Sequence, residues 1–208
     1  MNAQTQRLTI QGPAGLLAVA VDEPATPPLG VAVVCHPHPL HGGTLDNKVA
    51  QTLARAFVAC GWRAVRFNFR GVKGSEGQWD GGVGEVDDAL AVAAHQRLPG
   101  LPLRWAGFSF GGFVAAQAAA QGADAPSLLV APAVVNFPMP TVSQDTALVH
   151  GEADDVVALA DVLDWARPQA LPVTVFPGAG HFFHGQLALL KTWAMRAVAA
   201  DPLAIRSD

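Results

Sequence analysis

Charge is scarce in this 208-residue sequence: 14% of its side chains are Asp, Glu, Lys or Arg, against about 25% in an ordinary globular domain. With 50% hydrophobic residues, that scarcity excludes a disordered chain and supplies material for one large core. The 13 basic residues are scattered and outnumbered by 17 acidic ones, for a net charge of −4. The concentrated basic face that binds nucleic-acid backbones is therefore missing. Long apolar runs are absent too. A membrane span needs roughly 18 or more consecutive apolar residues, and runs such as 16–21 and 31–35 fall far short. A soluble protein is expected, with neither nucleic acid nor membrane as a partner. Residues 1–10 lack a basic stretch followed by an apolar one, so no secretory leader is expected. Cysteine is nearly lacking. Cys35 and Cys60 both stand in apolar surroundings, which reads as reduced core thiols of a cytoplasmic protein. With no linker composition and no repeat of fixed period, residues 1–208 are expected to form one domain.

What is present is an alternation of short apolar runs and longer helical patterns. Residues 7–10 and 16–22, split by Gly12-Pro13-Ala14-Gly15, read as a hairpin. Residues 31–35 have the unbroken apolar character of a strand buried on both faces. A helix is expected over 48–60, with Val49, Leu53, Phe57 and Cys60 on one side and Gly61 as its stop. Further strands are expected over 64–69, 104–108, 127–131, 147–150 and 173–176, and helices over 85–98, 110–121, 157–166 and 186–200. A βαβα series of this kind makes a mostly parallel sheet covered by helices on both faces, here with an antiparallel edge from the hairpin.

The sharpest local signal is Gly107-Phe108-Ser109-Phe110-Gly111-Gly112, where a buried strand turns directly into a helix. Small residues two before and two after a serine let strand and helix close on each other and hold its hydroxyl out at the top of the sheet. The Phe110 amide, at the helix start, is then an oxyanion donor. A serine nucleophile needs a base, and the base needs a carboxylate to fix its tautomer. Both follow just past strand ends: Asp154 in Gly151-Glu152-Ala153-Asp154-Asp155, and His181 in Gly178-Ala179-Gly180-His181. In a parallel sheet, sites gather at that end. Asp155 is the alternative acid and His184 the alternative base. The Gly-x-x-Asp spacing favours Asp154, and His184 lies further from its strand.

Two further segments carry a resemblance. Cys35-His36-Pro37-His38-Pro39-Leu40-His41-Gly42-Gly43 resembles the His-Pro-His-Pro-x-x-Gly-Gly loop of compact bacterial α/β-hydrolases, and Phe67-Asn68-Phe69-Arg70-Gly71-Val72-Lys73-Gly74-Ser75-Glu76-Gly77 is similar to another loop of that group, with Lys73 where a small residue is usual. The resemblance spans essentially the whole chain. It implies an α/β-hydrolase fold with a mostly parallel sheet of about eight strands, and the order Ser109, Asp154, His181 matches that superfamily. It also implies a second oxyanion donor after the third strand. Pro37 and Pro39 have no N–H, which leaves His36, His38 and Leu40, and position favours His38.

Other residues are read more plainly. His36, His38 and His41 lack the spacing and oriented second shell of a zinc site, so no metal is expected, and no cofactor. Cys35 has no elbow around it and reads as a core thiol. Glu85, Asp87 and Asp88 suit the start of a helix. Leu40, Trp79, Phe108 and Phe182 flank the site loops and are candidates for an acyl pocket. The fifteen residues 132–146 are too few for a two-helix cap, since a helix averages about 11 to 12 residues, so the site is expected to be open. The expected function is a serine hydrolase of carboxylic ester or thioester bonds, acting on a small-molecule acyl substrate as a monomer or small homo-oligomer. A non-catalytic binding protein on the same scaffold, and a perhydrolase or acyltransferase using the same three residues, are the alternatives.

Overall fold

A computed structural model describes residues 5–122 and 125–199. In the described residues the first elements are β1 (Gln6–Gly12) and β2 (Gly15–Asp22), a hairpin turning at Pro13 and Ala14. Then follow β3 (Val31–Cys35), α1 (Lys48–Ala59), β4 (Arg63–Phe67), α2 (Val83–Gln96), β5 (Leu103–Phe108) and α3 (Phe110–Gly122). The remainder is β6 (Ser127–Val130), β7 (Ala147–Gly151), α4 (Leu159–Ala166), β8 (Val173–Phe176) and α5 (Leu187–Ala199). The eight strands form one sheet in the order β1-β2-β4-β3-β5-β6-β7-β8. From β4 to β8 every pairing is parallel, and β2 joins β4 antiparallel, bringing β1 with it as the sheet edge.

Both faces are buried, and the strands show it by period two. In β3, Val31, Val33 and Cys35 enter one core with side chains from α2, α3 and α4, while Ala32 and Val34 enter the other with α1 and α5. The chain passes from β3 outward to β4 and returns across β3 to β5. That reversal leaves a crevice at the carboxyl ends of β3 and β5, where ligands of open α/β sheets bind. The loop 36–47 and the turn at Ser109 both lie there. Between β6 and β7 the chain runs without a helix, so nothing caps the crevice from that side. No helix among the described residues is long and apolar enough to cross a membrane.

Several element ends differ from expectation, each for a hydrogen-bonding reason. β4 stops at Phe67, not at residue 69. Asn68 turns its Oδ1 to the Leu45 amide at 2.7 Å, and the Phe69 amide donates to His36 Nε2 at 3.2 Å. α2 starts two residues early, at Val83, because the Glu85 carboxylate accepts the Gly82 and Asp80 amides at 2.8 and 3.0 Å. α4 starts two residues late, since the Val156 and Val157 amides are taken by Asp154. The start expected for α5 is one residue early, and Ala200, its expected end, lies outside the described residues, as do residues 1–4 of the amino-terminal stretch.

Candidate active site

β5 ends in a turn with no slack. Ser109 has φ 57°, a left-handed conformation that costs a side-chain-bearing residue on the order of 1 kcal/mol or more. Its amide donates to the Val130 carbonyl at 2.9 Å, and its carbonyl accepts the Gly112 amide at 2.9 Å. The two glycines of the motif are sterically required. A Cβ on Gly107 would stand 1.9 Å from the Gly111 carbonyl oxygen, and one on Gly111 would stand 2.2 Å from that of Cys35.

The Ser109 hydroxyl meets His181 Nε2 at 3.0 Å, and His181 Nδ1 meets Asp154 Oδ2 at 2.8 Å. The other carboxylate oxygen of Asp154 accepts the Val156 and Val157 amides at 2.9 and 2.8 Å. Burial by itself raises the Asp154 pKa, but the His181 hydrogen bond and these two amides outweigh it and hold the carboxyl below its ordinary value. Asp154 is thus ionised and oriented. Of the alternatives, Asp155 is exposed, and His184 is also exposed, its ring 5.8 Å from that of Phe182. All three residues expected from their spacing are brought together, from the ends of β5, β7 and β8.

Phe110 opens α3, so its amide has no acceptor within the helix. The His38 amide finds no acceptor among the described residues, while the Leu40 amide is occupied, donating to His38 Nδ1 at 3.2 Å. His36 is tied down. Its Nδ1 donates to the Pro37 carbonyl at 2.6 Å and its Nε2 accepts the Phe69 amide, which engages both ring nitrogens in holding the loop. Lys73 offers the neighbouring loop its carbonyl, which accepts from Asn68 Nδ2 at 2.6 Å, and leaves its side chain exposed.

The expected pocket residues divide. Trp79 packs 5.1 Å from the Phe110 ring and 4.7 Å from the His38 ring, and Leu40 is exposed on the rim. Phe182 is half exposed and meets the His181 ring edge-to-face at 5.1 Å. Phe108 is a correction. It is fully buried, its ring 4.9 Å from the His181 imidazole, so it backs the histidine and forms no open wall. The sequence reading also missed Phe137, at 4.9 Å from both Phe110 and Phe113. Phe113 had a signal, three residues beyond Phe110 on one helix face; Phe137 sits in an irregular segment and had none. In the acidic group at the start of α2, Glu85 caps the helix as expected, whereas Asp88 is a correction. Asp88 is fully buried and grips Arg70, its Oδ1 2.8 Å from Nη2, and also accepts the Arg70 amide, so helix-dipole complementarity does not account for it.

A family model described as alpha/beta hydrolase fold matches residues 33–140, more than half of the chain. The chain belongs to the α/β-hydrolase family. It is 30% identical over 199 residues to the uncharacterized protein RP471 of Rickettsia prowazekii (strain Madrid E), covering 85% of this chain and 82% of that one. Among solved structures it is similar to an alpha-beta serine hydrolase homologue from Coxiella burnetii, with 39% identity, a TM-score of 0.85, and coverage of 93% of this chain and 97% of that one. It is also similar to XC6422 from Xanthomonas campestris, a serine hydrolase of this fold without a lid, with 34% identity, a TM-score of 0.83 and 95% coverage of both chains. The chain thus shares its fold with both of these proteins over more than nine-tenths of its length.

Proposed function

We propose that this protein hydrolyses carboxylic ester or thioester bonds of small or soluble acyl substrates through an acyl-enzyme on Ser109. The observation that carries the reading is the unbroken relay from the Ser109 hydroxyl to His181 at 3.0 Å and on to Asp154 at 2.8 Å. In the first step Ser109 Oγ bonds to the acyl carbon as its proton passes to His181 Nε2. Asp154 holds the Nδ1–H tautomer and stabilises the imidazolium that forms. The oxyanion is received by the amides of Phe110 and His38. His181 then returns its proton to the departing alkoxide or thiolate. Water, deprotonated by the same imidazole, attacks the acyl carbon and regenerates the serine. None of these steps calls on a cofactor or metal. The half-buried aromatic wall of Trp79 and Phe137, and a crevice without a cap, suit a short or compact acyl group.

The test is reaction of the purified protein with a fluorophosphonate, read by intact mass. One adduct is expected on the wild type and none on Ser109→Ala or His181→Ala. A well-folded wild type that takes no adduct would overturn the reading and leave a binding protein on a hydrolase scaffold.

A further inference from the structure

His150, at the end of β7, is fully buried and takes no part in the steps above. Its Nε2 lies 2.9 Å from the Val157 carbonyl oxygen and 3.4 Å from Asp154 Oδ2, while its Nδ1 has no partner among the described residues. A carbonyl only accepts, so Nε2 bears the proton and the neutral ring leaves Nδ1 bare. Burial pushes the His150 imidazole below its ordinary value, against the Val157 carbonyl and the Asp154 charge, which agrees with a neutral ring. A buried unpaired acceptor costs about 1–3 kcal/mol, a cost that an apolar side chain of similar size avoids. What the imidazole supplies in return is a donor on its other nitrogen.

That donor acts on one turn. Val157 gives its amide to Asp154 Oδ1 at 2.8 Å and its carbonyl to His150, seven positions back. The chain between them is thereby closed, with the Asp154 carboxylate on its inner side. We propose that His150 is a positioning residue for the Ser109–His181–Asp154 relay, its Nε2–H fixing the Val157 carbonyl and so the turn that aims Asp154 Oδ2 at His181. The proposal rests on the hydrolytic reading of that site. The titratable groups that bear on the His150 ring are Asp154 and His181, so a change at His150 is transmitted through that pair.

The experiment compares full-length wild type, His150→Leu and His150→Gln. Leu fills the volume without a donor, whereas the Gln amide can place an N–H near the position of Nε2–H. The second-order rate of fluorophosphonate labelling and its pH profile are read, with kcat and KM on p-nitrophenyl acetate. His150→Leu is expected to label about tenfold more slowly or worse, as a misaimed catalytic group does. It should lower kcat with little change in KM, and its acid limb should move to lower pH as the carboxylate withdraws from His181. His150→Gln should label within about threefold of wild type, its donor replaced. Should the Leu protein fail to fold, His150→Met, also without a donor and able to repack, takes its place. A folded donor-free variant with wild-type labelling and an unmoved acid limb overturns the proposal, as does a Gln variant no better than Leu. A wild type that does not label overturns the hydrolytic reading instead, so the two failures are distinct.

Discussion

His36 makes the protein acid-labile in a window that can be worked out from its contacts. Its Nδ1–H donates to the Pro37 carbonyl and its bare Nε2 accepts the Phe69 amide. Protonation would set an Nε2–H against that amide N–H, two donors facing each other with no water between them. Burial, partly opposed by the Pro37 hydrogen bond, pushes the imidazole down from its ordinary 6.5 to about 4. Between those values the unfolded chain binds a proton that the folded chain refuses. The stabilising contribution is therefore full above about pH 6.5 and is lost as the pH falls through about 4. A shift of this size corresponds to about 3 kcal/mol. Urea unfolding of wild type and His36→Gln from pH 7.5 to 4 measures it. Gln can still accept the Phe69 amide but does not titrate, so the stability gap between the two proteins should narrow by up to about 3 kcal/mol as the pH falls. Comparing the two proteins also cancels the acid losses that arise at Asp154 and His150. Parallel stability curves over the whole range would show that His36 does not carry the effect.

Gly111→Ala should fail to fold or lose several kcal/mol, on the order of the largest single-site effects, because its Cβ would lie 2.2 Å from the Cys35 carbonyl oxygen; a melting temperature near wild type would refute the steric argument. Asp88→Leu should destabilise by about 3–5 kcal/mol by leaving the Arg70 guanidinium only the exposed Asp80, 3.7 Å away, as an ion-pair partner. Arg70→Met combined with Asp88→Leu should recover much of that loss in denaturant unfolding, and a double variant no better than the single one would contradict it. Initial rates on p-nitrophenyl esters should favour acyl chains of about two to six carbons, the range a capless crevice of about one aromatic wall can cover. A clear preference for chains of about twelve or more carbons would be incompatible with that site.

Most of the fold was legible because it is written in period. The unbroken apolar run of β3 states that both its faces are buried, helical spacing in α1 states which side is, and the series of elements then leaves few topologies. Ser109, Asp154 and His181 were legible for a related reason: each follows a strand end, and parallel strand ends converge. What escaped was set by hydrogen bonds between distant segments. Residues 68 and 69 continue the apolar alternation of β4, yet Asn68 and the Phe69 amide are claimed by Leu45 and His36, more than twenty positions away. The Asp88–Arg70 pair, 18 positions apart, is of the same kind, whereas the His150–Val157 bond closes a turn of seven positions that no period marks. Phe108 was a different error, since its alternation with Ala106 places it with the core shared by α1 and α5, and its nearness to the elbow drew attention from that pattern.

A site without a lid faces a physical difficulty, because water weakens the charge separation on which an imidazole relay depends. Here the shielding is built into the loops. Ser109, His181 and Asp154 are 8%, 4% and 9% exposed, although the described residues between β6 and β7 place no helix above them. Phe108 lies against the imidazole from within the sheet, and Phe182 meets it edge-on from the solvent side. On the oxyanion side Trp79 and Phe137 close around His38 and Phe110. The Ser109 hydroxyl thus lies among aromatic rings, and the His181–Asp154 pair sits in a medium of low dielectric. Removing the Phe182 ring should therefore weaken the relay by wetting it, lowering kcat more than it raises KM, and making turnover more sensitive to salt. Equal kcat and salt dependence in wild type and Phe182→Ala would show that the ring serves substrate contact alone.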